Sequence, residues 1–83
     1  MTYYMIGERL VPEHCFHGLY ISDNDFVKVS RKGSHTQGWW VMADYMVGND
    51  LVSEVVGNHI PDSTLSAKSQ LIIILRNMTI NED

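Results

Sequence analysis

The sequence predicts a small α+β domain of two layers: an antiparallel sheet of four or five strands with one or two short helices packed on one face. Three observations carry that prediction. Several short runs alternate apolar with polar residues. Glycine, proline and clustered Asn, Asp and Ser separate those runs. One unbroken apolar stretch, Leu71 to Leu75, has the length of a strand buried on both faces.

Thr2 to Ile6 is rich in residues that suit a pleated surface. Gly7 separates it from Arg9 to Val11 and Pro12 ends that second run, so one or two short strands, suited to a sheet edge, are expected there. Leu19-Tyr20-Ile21 reads as a further strand. Ser22-Asp23-Asn24-Asp25 then reads as a tight turn, because short polar side chains bond to nearby backbone. Phe26 to Ser30 places Val27 and Val29 on one side and Phe26, Lys28 and Ser30 on the other, the period of a half-buried strand. Trp39, Val41, Ala43, Tyr45 and Val47 share one parity, and Trp40, Met42, Asp44 and Met46 share the opposite one. The two runs flank Arg31 to Gly38 and together read as a hairpin with a long loop.

Beyond about Met46 a short helix is expected, capped near Asn49, with Asp50 at the positive end of the helix dipole and Gly57-Asn58 closing it. A competing reading caps a longer helix at Asp44 and runs it to Val56. After Pro61, Asp62-Ser63-Thr64 resembles a second helix start, giving a turn or two over Leu65 to Gln70. Periodicity alone does not separate a strand at Leu71 to Leu75 from a helix continuing to Asn77. Three adjacent isoleucines favour a central strand.

With 83 residues and 45% apolar content, positions 1–83 read as a single compact domain around one core. A chain this small buries only about 60% of the surface its unfolded form exposes, so self-association, a homodimer in the first instance, is an option for added stability. The single cysteine, Cys15, excludes an intrachain disulfide and suits a reducing compartment. Leu71 to Leu75 falls far short of the roughly 20 residues that cross a bilayer, and the opening residues lack a basic-then-apolar signal pattern. A cytoplasmic protein with no membrane partner is the expectation.

The formal charge is −4, yet Lys28, Arg31 and Lys32 fall between Val27 and Trp40 without an acid, leaving three cations against ten acids elsewhere. A polarised surface of this kind orients a charged partner during encounter. His35, Trp39 and Trp40 lie in the same stretch. Cations tracking phosphates beside rings that stack on bases would make a single-stranded DNA or RNA binder, the alternative function considered. Strand parity weakens it, since it sends Trp39 and Trp40 to opposite faces.

Glu13-His14-Cys15-Phe16-His17 gathers four potential metal ligands, but zinc sites usually draw on two spaced pairs and only one is present. Cys15 as a nucleophile would need a histidine from elsewhere, such as His35 or His59, and a group to orient it. No nucleophile elbow and no phosphate-binding glycine loop occurs. Metal or thiol chemistry at Cys15 therefore ranks third, with no catalytic residues, metal or cofactor expected.

The leading expectation is a small non-catalytic interaction protein, an adaptor or inhibitor-like regulator of the size common among mobile elements and bacteriophages. It would bind a larger protein or complex through the hairpin surface. Trp40, Met42 and Met46 would be the apolar anchors, with Lys28, Arg31, Lys32 and His35 orienting the encounter.

Overall fold

The structure, a computed structural model, describes residues 1–21 and 39–82. The element order is β1 (Thr2–Ile6), β2 (Arg9–Pro12), a 3₁₀ turn (Glu13–Cys15), β3 (Phe16–Ile21), β4 (Trp39–Val47), β5 (Asp50–His59), α1 (Ala67–Met78) and β6 (Thr79–Asn81). The strands form two separate antiparallel sheets. A short sheet has the order β2-β1-β6 and a long sheet the order β3-β4-β5. The turn expected at Ser22 to Asp25, the strand expected at Phe26 to Ser30 and the loop expected from Arg31 to Gly38 lie outside the described residues.

Two hairpins set the registers. Ile6 pairs with Arg9 and Val47 with Asp50, so Gly7-Glu8 and Gly48-Asn49 are two-residue loops. Each has glycine first with φ of 61°, the conformation a type II′ turn requires at that place. The helix expected from Asn49 to Val56 is thereby corrected to strand. Gly48 reverses the chain, and β5 pairs with β4 in nine registered positions from Val47–Asp50 to Trp39–His59. Leu51, Ser53 and Val55 alternate with Val52 and Glu54, which fits a pleated surface as well as a helix. Pairing with β4 decides between them.

The central strand expected at Leu71 to Leu75 is also corrected: this segment lies inside α1. Ser66 caps the helix, its Oγ accepting from the Ser69 N–H at 3.1 Å. Leu71, Ile74, Leu75 and Met78 fall at the i, i+3, i+4, i+7 spacing of one helical face, while Ile72 and Ile73 stay exposed. Burying that stripe outweighs the few tenths of a kcal/mol by which each isoleucine disfavours helix. Thr79 ends the helix, its Oγ1 donating to the Leu75 carbonyl at 2.6 Å. The chain passes directly into β6, which pairs with β1. The predicted single sheet of four or five strands is therefore replaced by two sheets of three, with one α-helix among the described residues.

Directly opposed residues of antiparallel strands project to the same face, so register assigns every side chain. The inner face of the long sheet carries Leu19, Val41, Ala43, Tyr45 and Val52. The short sheet lays Ile6, Val11 and Tyr4 over it, and α1 contributes Met78 and Ile74. Tyr4 and Phe16 stack across the junction with ring centroids 4.2 Å apart. Ile6, Val41, Ala43 and Tyr45 are each fully buried. Where α1 crosses β5, Gly57 leaves room for Ile74, whose Cδ1 lies 2.9 Å from where a Gly57 Cβ would stand.

Tyr45 is the fully buried residue of this core that carries a hydroxyl, and it donates a hydrogen bond to Glu54 on β5. Burial raises the Tyr45 pKa above its ordinary value of 10.0. The Glu54 hydrogen bond and charge add to the rise, and Arg9 opposes it. Folded Tyr45 thus keeps its proton where the unfolded chain releases it. Its contribution to stability is complete below about pH 10 and is lost as pH climbs beyond that, through the raised folded pKa.

Two outcomes follow. Tyr45→Phe leaves the Glu54 carboxylate without its donor and lowers stability by about 1 to 2 kcal/mol at neutral pH. In urea denaturation at about pH 11 the gap to the wild type narrows, because only the wild type has a buried phenol to ionise. Gly57→Ala drives a methyl into Ile74 and costs about 1 to 2 kcal/mol. In an Ile74→Val background, which lacks the Cδ1 atom, the same change costs less than about 0.5 kcal/mol, a coupling that a double-mutant cycle reads directly.

Candidate functional site

The outer face of the long sheet is the candidate site, and its rows follow from register. Met46 opposes Leu51. Gly18, Asp44 and Ser53 form the next row, then Tyr20, Met42 and Val55, and finally Trp40 with Asn58. Leu51 is 59% exposed, Val55 48% and Tyr20 41%. Trp40, Met42 and Met46 are each partly exposed. One face thus presents two methionines, two aromatic rings and two branched aliphatic side chains in rows on either side of the Gly18–Asp44–Ser53 row, residue types enriched or common in protein contact surfaces.

Two irregularities shape this face. On β3 the register shifts between Phe16 and Gly18, leaving His17 as an extra, exposed residue at a bulge. Gly18 adopts φ of 153°, which residues with a side chain rarely take, and among the described residues no heavy atom lies within 4 Å of where its Cβ would stand. The position beside Asp44 is therefore an open notch. On β5 the register shifts opposite Val41 and Met42, so that Val56 is the extra residue and packs against the core. Asp44 is the one acidic side chain in these rows, and its carboxylate accepts from the Ser53 hydroxyl.

The site residues expected from sequence divide in two. Trp40, Met42 and Met46 come together on this face, as strand parity requires. Lys28, Arg31, Lys32 and His35 lie outside the described residues. Tyr20, Leu51, Val55 and Asp44 were not among the expected contacts. The alternation in each strand is visible in sequence, but it does not say which strand lies beside which. Trp39 pairs with His59 and has the parity of Val41 and Tyr45, so the two tryptophans of the oligonucleotide alternative lie on opposite faces.

Two concavities lined by described residues lie elsewhere. A cleft of about 400 Å³ is lined by Ile6, Glu8, Arg9 and Glu54. Beneath it the Tyr45 hydroxyl holds Glu54, and the Glu54 carboxylate rests 3.4 Å from the Cβ position of Gly7. Tyr45 is sealed from solvent, so its hydroxyl holds Glu54 of the neighbouring strand in the same sheet. An apolar hollow of about 200 Å³ lies between α1 and the segment before it, with Ile60, Leu65, Ile73 and Ile74 in its wall. Gln70 pins that segment, accepting from Ile60 N at 2.8 Å and donating to the carbonyls of Ile60 at 3.0 Å and Leu65 at 3.1 Å.

Around Cys15, His14 and His17 are exposed, while Cys15 is half-buried and packs against the core from the 3₁₀ turn. Among the described residues no three His, Cys, Asp or Glu side chains form a group able to hold a metal ion. No helix among them is long and apolar enough to cross a membrane. No family model, no curated protein and no solved structure matches this chain.

Proposed function

We propose that this protein is a non-catalytic interaction module, an adaptor or inhibitor-like regulator of the kind mobile elements and bacteriophages carry, acting in the cytoplasm on a larger protein or complex. The observation that carries the reading is the outer face of the long sheet. Its rows of Tyr20, Met42, Met46, Leu51 and Val55 are partly or largely exposed although the chain has few residues with which to build a core. Apolar surface of this continuity is uncommon on monomers unless something docks there.

Methionine suits the role because its unbranched side chain adapts to an opposing surface, and the tyrosine and tryptophan add large contact area at low entropic cost. The face is carried on β4, the central strand of the sheet, paired on both sides, so the anchors are held rigidly before a partner arrives. Lys28, Arg31, Lys32 and His35, between β3 and β4 in sequence, would accelerate encounter with an acidic region of the same partner.

The test is affinity capture from cells of the natural source with quantitative mass spectrometry, using the full chain. Trp40→Ala and a Met46→Ser/Leu51→Ser double variant should each reduce recovery of one specific protein at least tenfold, the loss expected from truncating contact hot spots. Their far-ultraviolet circular dichroism should match the wild type, since Met46 and Leu51 lie on the outer face. Equal recovery by all three proteins, or recovery of nucleic acid in place of protein, would reject the reading.

A further inference from the structure

The outer face carries one feature that an apolar partner alone does not satisfy: a carboxylate in its middle. Asp44 sits with the Met46–Leu51 row on one side and the Tyr20–Met42–Val55 row on the other. Among the described residues its only hydrogen-bond donor is the Ser53 hydroxyl, and no Lys or Arg stands in any of the four rows. A carboxylate accepts up to about four hydrogen bonds, so the described residues use only a small part of its capacity.

Covering Asp44 with an apolar surface would strip its water and leave a buried charge unpaired, a desolvation cost that nothing offsets. The face therefore discriminates. It disfavours purely apolar partners and favours one that brings a cation to the centre. A second copy packed on the same face about a two-fold axis would bring a second Asp44, setting like charges together, which disfavours that occupant.

We infer that this face receives an apolar segment of a protein partner that carries one arginine, its guanidinium seated on Asp44 in the notch opened by Gly18. The inference rests on the reading of this face as the partner-binding surface and names the chemistry of what binds. Three features select arginine over lysine. Among the described residues the notch beside the carboxylate is unfilled, because Gly18 has no side chain and none of their atoms lies within 4 Å of its Cβ position. A planar guanidinium can pair with a carboxylate through two parallel hydrogen bonds, whereas an ammonium acts as a point charge. Tyr20 is the diagonal cross-strand neighbour of Asp44, a relation that places such side chains about 7 to 8 Å apart. Its ring can cover the face of a guanidinium held there. Met42 and Met46, two residues to either side of Asp44 on β4, accept the flanking apolar side chains of the segment.

The test uses random dodecapeptides displayed on phage and selected against the immobilised full chain. The expected consensus is one arginine flanked by apolar residues. The best such peptide should bind at least tenfold more weakly to Asp44→Asn, and a citrulline replacement of its arginine should bind the wild type at least tenfold more weakly. Asparagine retains an acceptor for Ser53, so the variant should keep the wild-type circular dichroism spectrum. Apolar peptides without arginine that bind Asp44→Asn as well as wild type, yet lose binding to a Leu51→Ser/Val55→Ser variant, would overturn the arginine socket and leave the face as a contact surface. Peptides indifferent to both variants, or no enrichment at all, would overturn both. A dimer in sedimentation that the Leu51→Ser/Val55→Ser change dissociates would overturn it in favour of a second copy.

Discussion

The fold depends on burying Tyr45 completely without stranding its hydroxyl. A phenol sealed from solvent needs a hydrogen-bond partner, and unmet need of that kind costs on the order of 1 to 3 kcal/mol. Glu54 supplies the acceptor from the neighbouring strand, and Gly7, at the turn of the short sheet, comes close enough to the carboxylate that a larger residue would be in contact with it. Three elements thus meet at one hydrogen bond: β4 brings the ring, β5 the carboxylate, and the β1–β2 turn closes over them. Ile6 and Val11 then pack on Tyr45 and Ala43, and the two sheets become one body.

That arrangement commits the inner face of the long sheet and leaves its outer face without a covering layer among the described residues. The short sheet and α1 both lie on the inner side, as the contacts of Ile6 and Val11 with Tyr45 and of Ile74 with Gly57 require. Strand alternation permits any polarity on the outer side, and lysine, glutamate or threonine there would have been costless. This chain places Met42, Met46, Leu51 and Val55 there instead. The described core does not ask for these residues, and that is what supports the proposed contact surface.

How much of this was legible in the sequence depended on the range of the interaction that decides each element. β1, β2, the end of β3, and β4 follow from local alternation and from Gly7 and Pro12, and they stand where alternation put them. β5 was missed because Asn49-Asp50 imitates a helix cap, while Gly48-Asn49 is equally a two-residue hairpin loop with glycine first. Only pairing along the whole of β4 separates the two. The run from Leu71 to Leu75 misled for a different reason. Its helical stripe becomes visible only when Met78 is counted with Leu71, Ile74 and Leu75, and when Ser66 is recognised as the cap. Strand parity collected Trp40, Met42 and Met46 onto one face. Adding Tyr20 from one side and Leu51 and Val55 from the other required the registers of β3 and β5, which come from hairpin geometry and a bulge that residue identity does not announce.

The position of Asp44 shows why such a face can be selective although most of it is hydrophobic. Apolar contact is non-directional and scales with area, so rows of methionine, leucine and valine would accept many surfaces with similar affinity. A single carboxylate in their midst changes the ranking. It contributes little while the face is wet, because an exposed ion pair is worth only about 0 to 1 kcal/mol. Once a partner excludes water, the same charge becomes expensive if unmatched and strongly directional if matched. Ser53 and Gly18 flank it on the adjacent strands, one holding the carboxylate in place and the other leaving space beside it. On the proposed reading, affinity comes from the apolar rows that alternation builds, and discrimination from the one charged residue among them.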